Sequence, residues 1–443
     1  MLDTSSKPML QTIPERPKPG PAGKIGKYEI VRKLGDGATS SVYLARDPFA
    51  QREVAVKLVS QSALRDPGGD KVMHQLFLNE ASLAGKLVHP HIVEIYDAVA
   101  DEENAYIVME YVAGDTLQPH TRPDNLLAVG DVIEIIFKCV RALDYASQIG
   151  VIHRDIKPAN ILIKGENEIK ITDFGSAAML TTTRTVIDGI GTPAYMSPEQ
   201  HLNRSLNHQT DIYALGVVMF HLLTGRLPFI ADNIAGLAYQ LLNNDPPNPS
   251  EYRREVSAAL DRIVRRALER DPAKRYPTWE HFAADLVAIA AGGVPLGKPR
   301  VTEAGKFDAL RGLSFFRCFS DVELWEVIQF AEWCAVAGGE AIMRQGEIGE
   351  FFCVLASGEA SVALGGRPLA TLCAGECCGE MSYLGDGALR TADVTAVSDV
   401  QMVMIPVAVL KRAGNMTRLN FERAFLRALV ERLKNANTQL TAT

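Results

Sequence analysis

The stretch from His153 to Gly175 constrains this chain more than any other part of it. It runs His153-Arg154-Asp155-Ile156-Lys157-Pro158-Ala159-Asn160, then an apolar run Ile161-Leu162-Ile163 and a polar turn over Lys164-Gly165-Glu166-Asn167. A second short run follows and leads into Asp173-Phe174-Gly175. Two β-prone runs around a polar turn predict a hairpin that sets the acids at one end. Asp155 can take a proton from a hydroxyl, Lys157 can neutralise a phosphate, and Asn160 with Asp173 offers hard oxygen ligands for magnesium. A charged triplet alone means little, because such triplets are common on solvated loops; four such groups at these offsets mean much more.

At 443 residues the chain exceeds what one hydrophobic core usually organises, so two or three domains are expected. A net charge of −7 argues against a nucleic-acid-binding surface. No run approaches the length of a membrane span, and the N-terminus lacks the basic-then-apolar pattern of a signal peptide. The expectation is a cytoplasmic protein without a membrane partner. Seven cysteines, only Cys139 among them in the first 300 residues, do not make a disulfide framework. Cys373, Cys377 and Cys378 lie close together, but no nearby histidine or second CxxC completes a metal set. They are expected to be small buried hydrophobes, with a redox or metal role as the alternative.

Residues 1–26, rich in Pro, Lys, Ser and Thr, read as a disordered lead-in. No period of 20 to 50 residues repeats, which argues against solenoids and propellers. Short β runs begin at Tyr28. The second contains Leu34-Gly35-Asp36-Gly37-Ala38-Thr39-Ser40-Ser41-Val42, a glycine-rich turn whose backbone N–H groups can approach phosphate oxygens. Val54-Ala55-Val56-Lys57 follows, and then a helical stretch containing Glu80. Residues 92–112 supply two more strand-like runs, and residues 130–149 read as an amphipathic helix.

Taken with His153–Gly175, this order of elements resembles the catalytic core of eukaryotic-type protein kinases, their bacterial Ser/Thr members most closely. The resemblance covers residues 28 to about 288 and implies a bilobal fold with ATP between the lobes. It implies that Lys57, paired with Glu80, aligns the ATP phosphates, that Asp155 and Lys157 are catalytic, and that Asn160 and Asp173 hold Mg²⁺. Leu34 to Val42 would cover the nucleotide, Met109 would stand behind adenine, and the backbone of Glu110 and Val112 would give adenine its hydrogen bonds. Ser40 stands where the family pattern has a third glycine, a small residue that still fits. Lys157 and the Gly191-Thr192-Pro193 sequence are the Ser/Thr forms, so the implied partners are protein Ser/Thr substrates. Ser197-Pro198-Glu199 resembles the element usually written Ala-Pro-Glu, Arg275 is the implied ion-pair partner of Glu199, and Asp211 the implied brace of the catalytic loop.

Between Gly175 and Glu199 the activation loop carries Thr181, Thr182, Thr183, Thr185 and Thr192, of which Thr183 and Thr185 are the leading candidates for autophosphorylation. Kinases with an arginine at position 154 commonly need a loop phosphate to pair with it. Asp188 occupies a position often phosphorylated in related kinases. It either replaces that phosphate in part or is a plain exposed aspartate.

Gly and Pro crowd residues 291–299 and mark a domain boundary. The expected division is therefore a kinase domain over 27–288, a linker over 289–306 and a second domain over 307–443. In that domain short β runs recur between glycine turns, as in a small antiparallel barrel or jelly roll. The stretch Gly379-Glu380-Met381-Ser382 to Arg390-Thr391-Ala392 resembles the phosphate-binding cassette of cyclic-nucleotide-binding domains. The resemblance implies that Arg390 pairs with a cyclic phosphate, that Glu380 accepts the ribose 2′-hydroxyl, and that N–H groups of a short helix after Gly379 face the phosphate. Thr391 leaves cAMP and cGMP both open. Phe421, Phe425, Leu426, Leu429, Val430 and Leu433 follow helical spacing, for a helix that closes over the base or forms a homodimer.

The expected class is thus multidomain α+β, a bilobal kinase fold followed by a cyclic-nucleotide-binding jelly roll with flanking helices. The expected function is an ATP-dependent Ser/Thr protein kinase regulated by cAMP or cGMP. Two rivals are a kinase whose second domain docks or dimerises without nucleotide, and a pseudokinase scaffold.

Overall fold

The computed structural model describes residues 23–36, 40–59, 77–100, 105–165, 167–174, 178–179, 193–291, 302–385 and 389–441. They form two compact units, one made of residues up to 85 together with 94–111, the other of 86–93 and everything from 112 onward.

The first unit is an antiparallel sheet of six strands, β1 (Lys24–Ile25), β2 (Tyr28–Asp36), β3 (Ser40–Asp47), β4 (Arg52–Val59), β5 (Ile95–Ala100) and β6 (Ala105–Glu110), in the order β1-β2-β3-β4-β6-β5. Val54 and Val56 alternate onto one face of β4, where they pack with Ala45, Tyr106 and Val108. Period-two geometry then places Lys57 on the opposite face, where its charge meets Glu80 rather than the core.

In the second unit, β7 (Asp115–Thr116) pairs with a hairpin of β9 (Ile161–Lys164) and β10 (Glu168–Ile171), while β8 (Val151–Ile152) pairs with β11 (Ala178–Met179). Around them lie α1 (Val129–Gln148), α2 (Pro198–His201), α3 (His208–Thr224), α4 (Ile234–Asn243), α5 (Ala258–Ala267) and α6 (Trp279–Ala291). Helix α3 starts where the Asn207 side chain accepts the Gln209 N–H, and it stops at Gly225, whose φ of +70° suits glycine. A side chain at Gly225 would also strike the backbone of Pro123. Nearly every residue of α3 between these caps is buried, which makes it the central rod of this part of the fold.

The same unit continues through α7 (Glu303–Gly312) and α8 (Asp321–Phe330), the latter opened by a reciprocal Ser320–Glu323 capping box. Next come β12 (Glu332–Val336), β13 (Ala341–Met343), β14 (Phe351–Ser357), β15 (Ala360–Leu364), β16 (Arg367–Leu372), β17 (Cys377–Cys378), α9 (Met381–Leu384), β18 (Asp393–Ala396), β19 (Val400–Pro406), α10 (Val407–Leu410) and α11 (Asn415–Thr441). Two four-stranded antiparallel sheets, β12-β19-β14-β17 and β13-β18-β15-β16, share one core of residues such as Met343, Leu355, Leu372, Val394 and Met402. This is the expected jelly-roll pattern. Helices α6 and α7 enter both ends of the stretch expected to be linker.

One sequence expectation needs correction. Cys377 and Cys378 are buried as expected, but Cys373 is exposed, because it sits in the turn after β16 where its N–H bonds the Glu376 carboxylate. The helix expected from the C-terminal stripe is α11, on which Phe421 and Phe425 are fully buried while Leu426, Val430 and Leu433 lie open to solvent. Phe421 and Phe425 pack on Phe315 and Phe352, and further along the same helix Arg432 reaches Glu380.

Helix α1 is covered by α7. Its Glu134 accepts the Ala304 N–H at 3.1 Å and has Lys138, Glu303 and Lys306 as charged neighbours. Burial pushes the Glu134 carboxyl up to about 7, with Lys138 opposing that rise. The folded state therefore holds this proton in a window where the unfolded chain, near 4.5, has released it, so stability contributed here falls as pH rises from about 4.5 to about 7. Glu134→Gln should flatten that slope by roughly 2–3 kcal/mol across the window, read from urea midpoints of both proteins at several pH values.

Candidate functional site

The hairpin β9–β10 and the loop before it place the acids. His153 and Arg154 turn the chain, Arg154 with φ +68°, and both main-chain N–H groups donate to the buried Asp211 carboxylate at 2.7 and 2.8 Å. Burial raises the Asp211 pKa, against the lowering effect of His153 and of those two N–H bonds. The aspartate at the start of α3 thus acts as the brace implied by the sequence.

On that loop, Lys157 Nζ donates to Asp155 Oδ2 at 2.7 Å. Asn160 Nδ2 donates to the Asp155 main-chain oxygen at 2.9 Å and to Oδ2 at 3.1 Å. With its nitrogen so placed, Asn160 has Oδ1 to offer a cation. Thr172 donates its N–H to the Asn160 carbonyl and accepts from His153 Nε2, and the Phe174 ring packs 4.4 Å from the His153 ring. These contacts hold Asp173 in a left-handed backbone conformation, φ +62°, that a non-glycine residue adopts only when its surroundings impose it. Asn160 and Asp173 therefore supply one amide and one carboxylate oxygen, a donor set that fits magnesium.

In the first unit, Lys57 Nζ bridges both Glu80 carboxylate oxygens at 3.0 and 3.2 Å, and Glu80 is buried in the helical stretch 77–81. Leu34, Gly35 and Asp36 end β2, and Ser40, Ser41 and Val42 open β3, with Ser41 Oγ donating to Asp36 at 2.7 Å across the pairing. Met109 is buried on β6, and the Glu110 N–H is committed to the Glu94 carbonyl. Val112 is half-buried at the start of the second unit, where its carbonyl accepts the Gly114 N–H. Gly37, Ala38, Thr39, Thr181, Thr182, Thr183, Thr185, Asp188 and Thr192 lie outside the described residues.

Glu199 and Arg275 meet as a buried fork, Nη1 and Nη2 reaching the two carboxylate oxygens at 2.7 and 2.8 Å. Burial alone would raise the Glu199 pKa; the Arg275 bonds and charge outweigh it and hold the carboxyl below its usual value. Residues 154, 200 and 197 are also joined, since Gln200 caps its own helix through Ser197 and donates to the Arg154 carbonyl.

The second candidate site gathers around Gly379. Arg390 is buried, its Nη1 2.8 Å from Ser382 Oγ and its Nη2 2.7 Å from the Phe351 carbonyl, with its guanidinium over the Phe351 ring. Gly379 has φ +80°, and a Cβ there would come within 2.5 Å of Arg390 and 2.8 Å of Met343, so glycine is required. Helix α9 is a single turn whose Ser382, Tyr383 and Leu384 N–H groups bond back to Gly379 and Glu380. The charge available to an anion therefore comes from Arg390 rather than from a helix dipole. Met381 and Thr391 are exposed and Ala392 half-buried beside it.

Glu380 is buried and paired with Arg432 of α11 at 2.8 Å, an arginine that also donates to the Cys377 carbonyl. Sequence reasoning missed Arg432, because a contact between residues 52 positions apart leaves no spacing signal. Nearby, Cys353 and Cys378 are buried with sulfurs 3.1 Å apart, and burial pushes the Cys377 thiol up to about 12. Cys377 is therefore a packing group at neutral pH.

Among the described residues no helix is long and apolar enough to cross a membrane. Residues 334–415 match the model of the cyclic nucleotide-binding domain. Over 287 residues the chain is 39% identical to the serine/threonine-protein kinase PknB of Mycobacterium leprae, a match covering 63% of this chain and 46% of that protein. Against the serine/threonine-protein kinase PrkC of Bacillus subtilis the identity is also 39%, over 263 residues, 59% of this chain and 40% of that one. This chain thus spans less than half the length of these curated relatives. Residues 28–286, more than half of the chain, match the model of the protein kinase domain, and with the braced Asp155 loop and the Lys57–Glu80 pair in place the chain belongs to the protein kinase family.

Proposed function

We propose that this chain is a Ser/Thr protein kinase whose C-terminal domain binds a cyclic nucleotide, cAMP or cGMP, that sets its activity. What carries the reading is the Asp155–Lys157–Asn160 cluster on a loop fixed by Asp211. Asp155 receives and orients the substrate hydroxyl, with Lys157 beside it to meet the transferring phosphate. Lys57, aligned by Glu80, holds the ATP phosphates. Asn160 and Asp173 hold magnesium, which when bound neutralises charge on those phosphates. These intact groups argue against a pseudokinase scaffold. Seven free cysteines fit a reducing, cytoplasmic setting.

In the C-terminal domain Arg390 pairs with the cyclic phosphate and Glu380 takes the ribose hydroxyl, in competition with Arg432. The test is radiolabelled phosphate transfer by the full chain with and without cAMP or cGMP, beside titration of a fluorescent cyclic nucleotide. Arg390→Ala should weaken nucleotide binding by about 30-fold or more, because it removes a buried charge-assisted fork worth at least 2 kcal/mol. Transfer that ignores both nucleotides, with no binding in the titration, would leave the kinase standing and turn the C-terminal domain into a docking module.

A further inference from the structure

Glu134, Lys138 and Arg141 stand at i, i+4 and i+7 on α1, the spacing of a face that a helix gives to water. Here they are 9%, 2% and 1% exposed. Helices α7 and α6 supply their partners, and each of the three has one. Lys138 meets Glu303 at 2.5 Å and the Asn167 carbonyl at 2.9 Å, Glu134 takes the Ala304 N–H, and Arg141 meets Glu280 at 2.6 Å beneath the Phe307 ring. Burying two cations and a carboxyl group is unfavourable unless their partners are positioned, so this is a built contact. At its centre the fully buried Trp325 packs 4.9 Å from Phe307, 6.3 Å from Phe137 and, edge to face, 4.6 Å from His91.

His91 is bonded twice to β10: its ring Nδ1 lies 3.2 Å from the Ile169 carbonyl, and its main-chain carbonyl accepts the Ile171 N–H at 2.8 Å. Strand β10 runs directly into Thr172, which bonds Asn160, and into Asp173. On its other side α8 is tied to α11, where Asn420 donates to Glu323 at 2.8 Å and Thr417 to Glu326. Helix α11 then reaches Glu380 through Arg432.

We propose that ligand state at Glu380 reaches Asn160 and Asp173 through α11, α8, the Trp325–His91 contact and β10. This rests on the nucleotide-regulated reading above. A ligand that engages Glu380 competes with Arg432 and so alters the hold on α11, and the packed rings pass that change on because buried contacts repack rather than stretch. The sequence shows none of this, since Trp325 and His91 are 234 positions apart along the chain.

The test uses the full chain with Trp325→Leu and His91→Leu, which keep apolar bulk at the contact. Fluorescent-nucleotide titration, phosphate transfer with and without saturating cAMP or cGMP, and amide hydrogen exchange of 167–173 are measured for each. In wild type the nucleotide response should be about 5-fold or more, as for typical allosteric coupling. Both variants should bind nucleotide within about twofold of wild type while the response collapses to below about twofold, and Ile169 and Ile171 amides should exchange at least about tenfold faster. A full response in folded Trp325→Leu and His91→Leu proteins overturns the relay. If wild type binds no nucleotide, the functional reading fails on its own; exchange at Ile169 and Ile171 then decides, and unchanged rates in both variants overturn the relay as well.

Discussion

Asparagine in place of Asp155 is expected to lower phosphate transfer by about 10²–10⁴-fold, the usual contribution of a positioned general base. The substitution keeps shape and still accepts from Lys157 and Asn160 through its remaining oxygen, so the loop braced by Asp211 should stay in place. ATP affinity and the urea midpoint should therefore match wild type, and the loss should appear in kcat. A rate that falls by less than about tenfold would move the proton-accepting role away from Asp155. The comparison must be made on the full chain, with both autophosphorylation and an added protein substrate, because the two respond alike only if the defect is chemical.

Arg275→Ala should produce the largest loss of stability, about 3–5 kcal/mol. Its side chain is fully buried and donates not only to both Glu199 oxygens but also to the carbonyls of Glu269, Gln209 and Arg270. Removing it leaves Glu199 charged, buried and dependent on Thr210 alone among side chains for a hydrogen bond. Arg275→Lys should recover only part of the loss, since an ammonium cannot reproduce the planar fork. Urea unfolding followed by tryptophan fluorescence reads this directly, because Trp279, Trp325 and Trp333 all lie in the second unit. A shift below about 1 kcal/mol would mean that water replaces the guanidinium and that the pair is not the anchor its burial suggests.

Much of this chain could be read before its structure. The candidate catalytic groups cluster in sequence, because a loop and a hairpin bring residues 153–173 together, while the brace that fixes the loop, Asp211, comes from a distant helix. The Lys57–Glu80 pair and the Glu199–Arg275 pair were also legible, but through the order of elements in a known pattern rather than through spacing. The short β runs between glycine turns in the second domain announced a small antiparallel barrel or jelly roll, because such turns let successive short strands pair with their neighbours. The stripe on α11 announced the helix, but helical periodicity reports which residues share a face and not which of them find a partner.

What the sequence by itself determined is therefore the local and the periodic: which residues can carry a proton, a phosphate or a cation, and which segments are strand or helix. Only the tertiary structure decided what covers the charged face of α1, which arginine occupies Glu380, and that Trp325 meets the histidine bonded to the strand of Asp173. Those contacts join residues 52 to 234 positions apart, and burial, not sequence spacing, selects them. A side chain's own chemistry states what it can bind; its partner depends on which distant surface packing brings within reach.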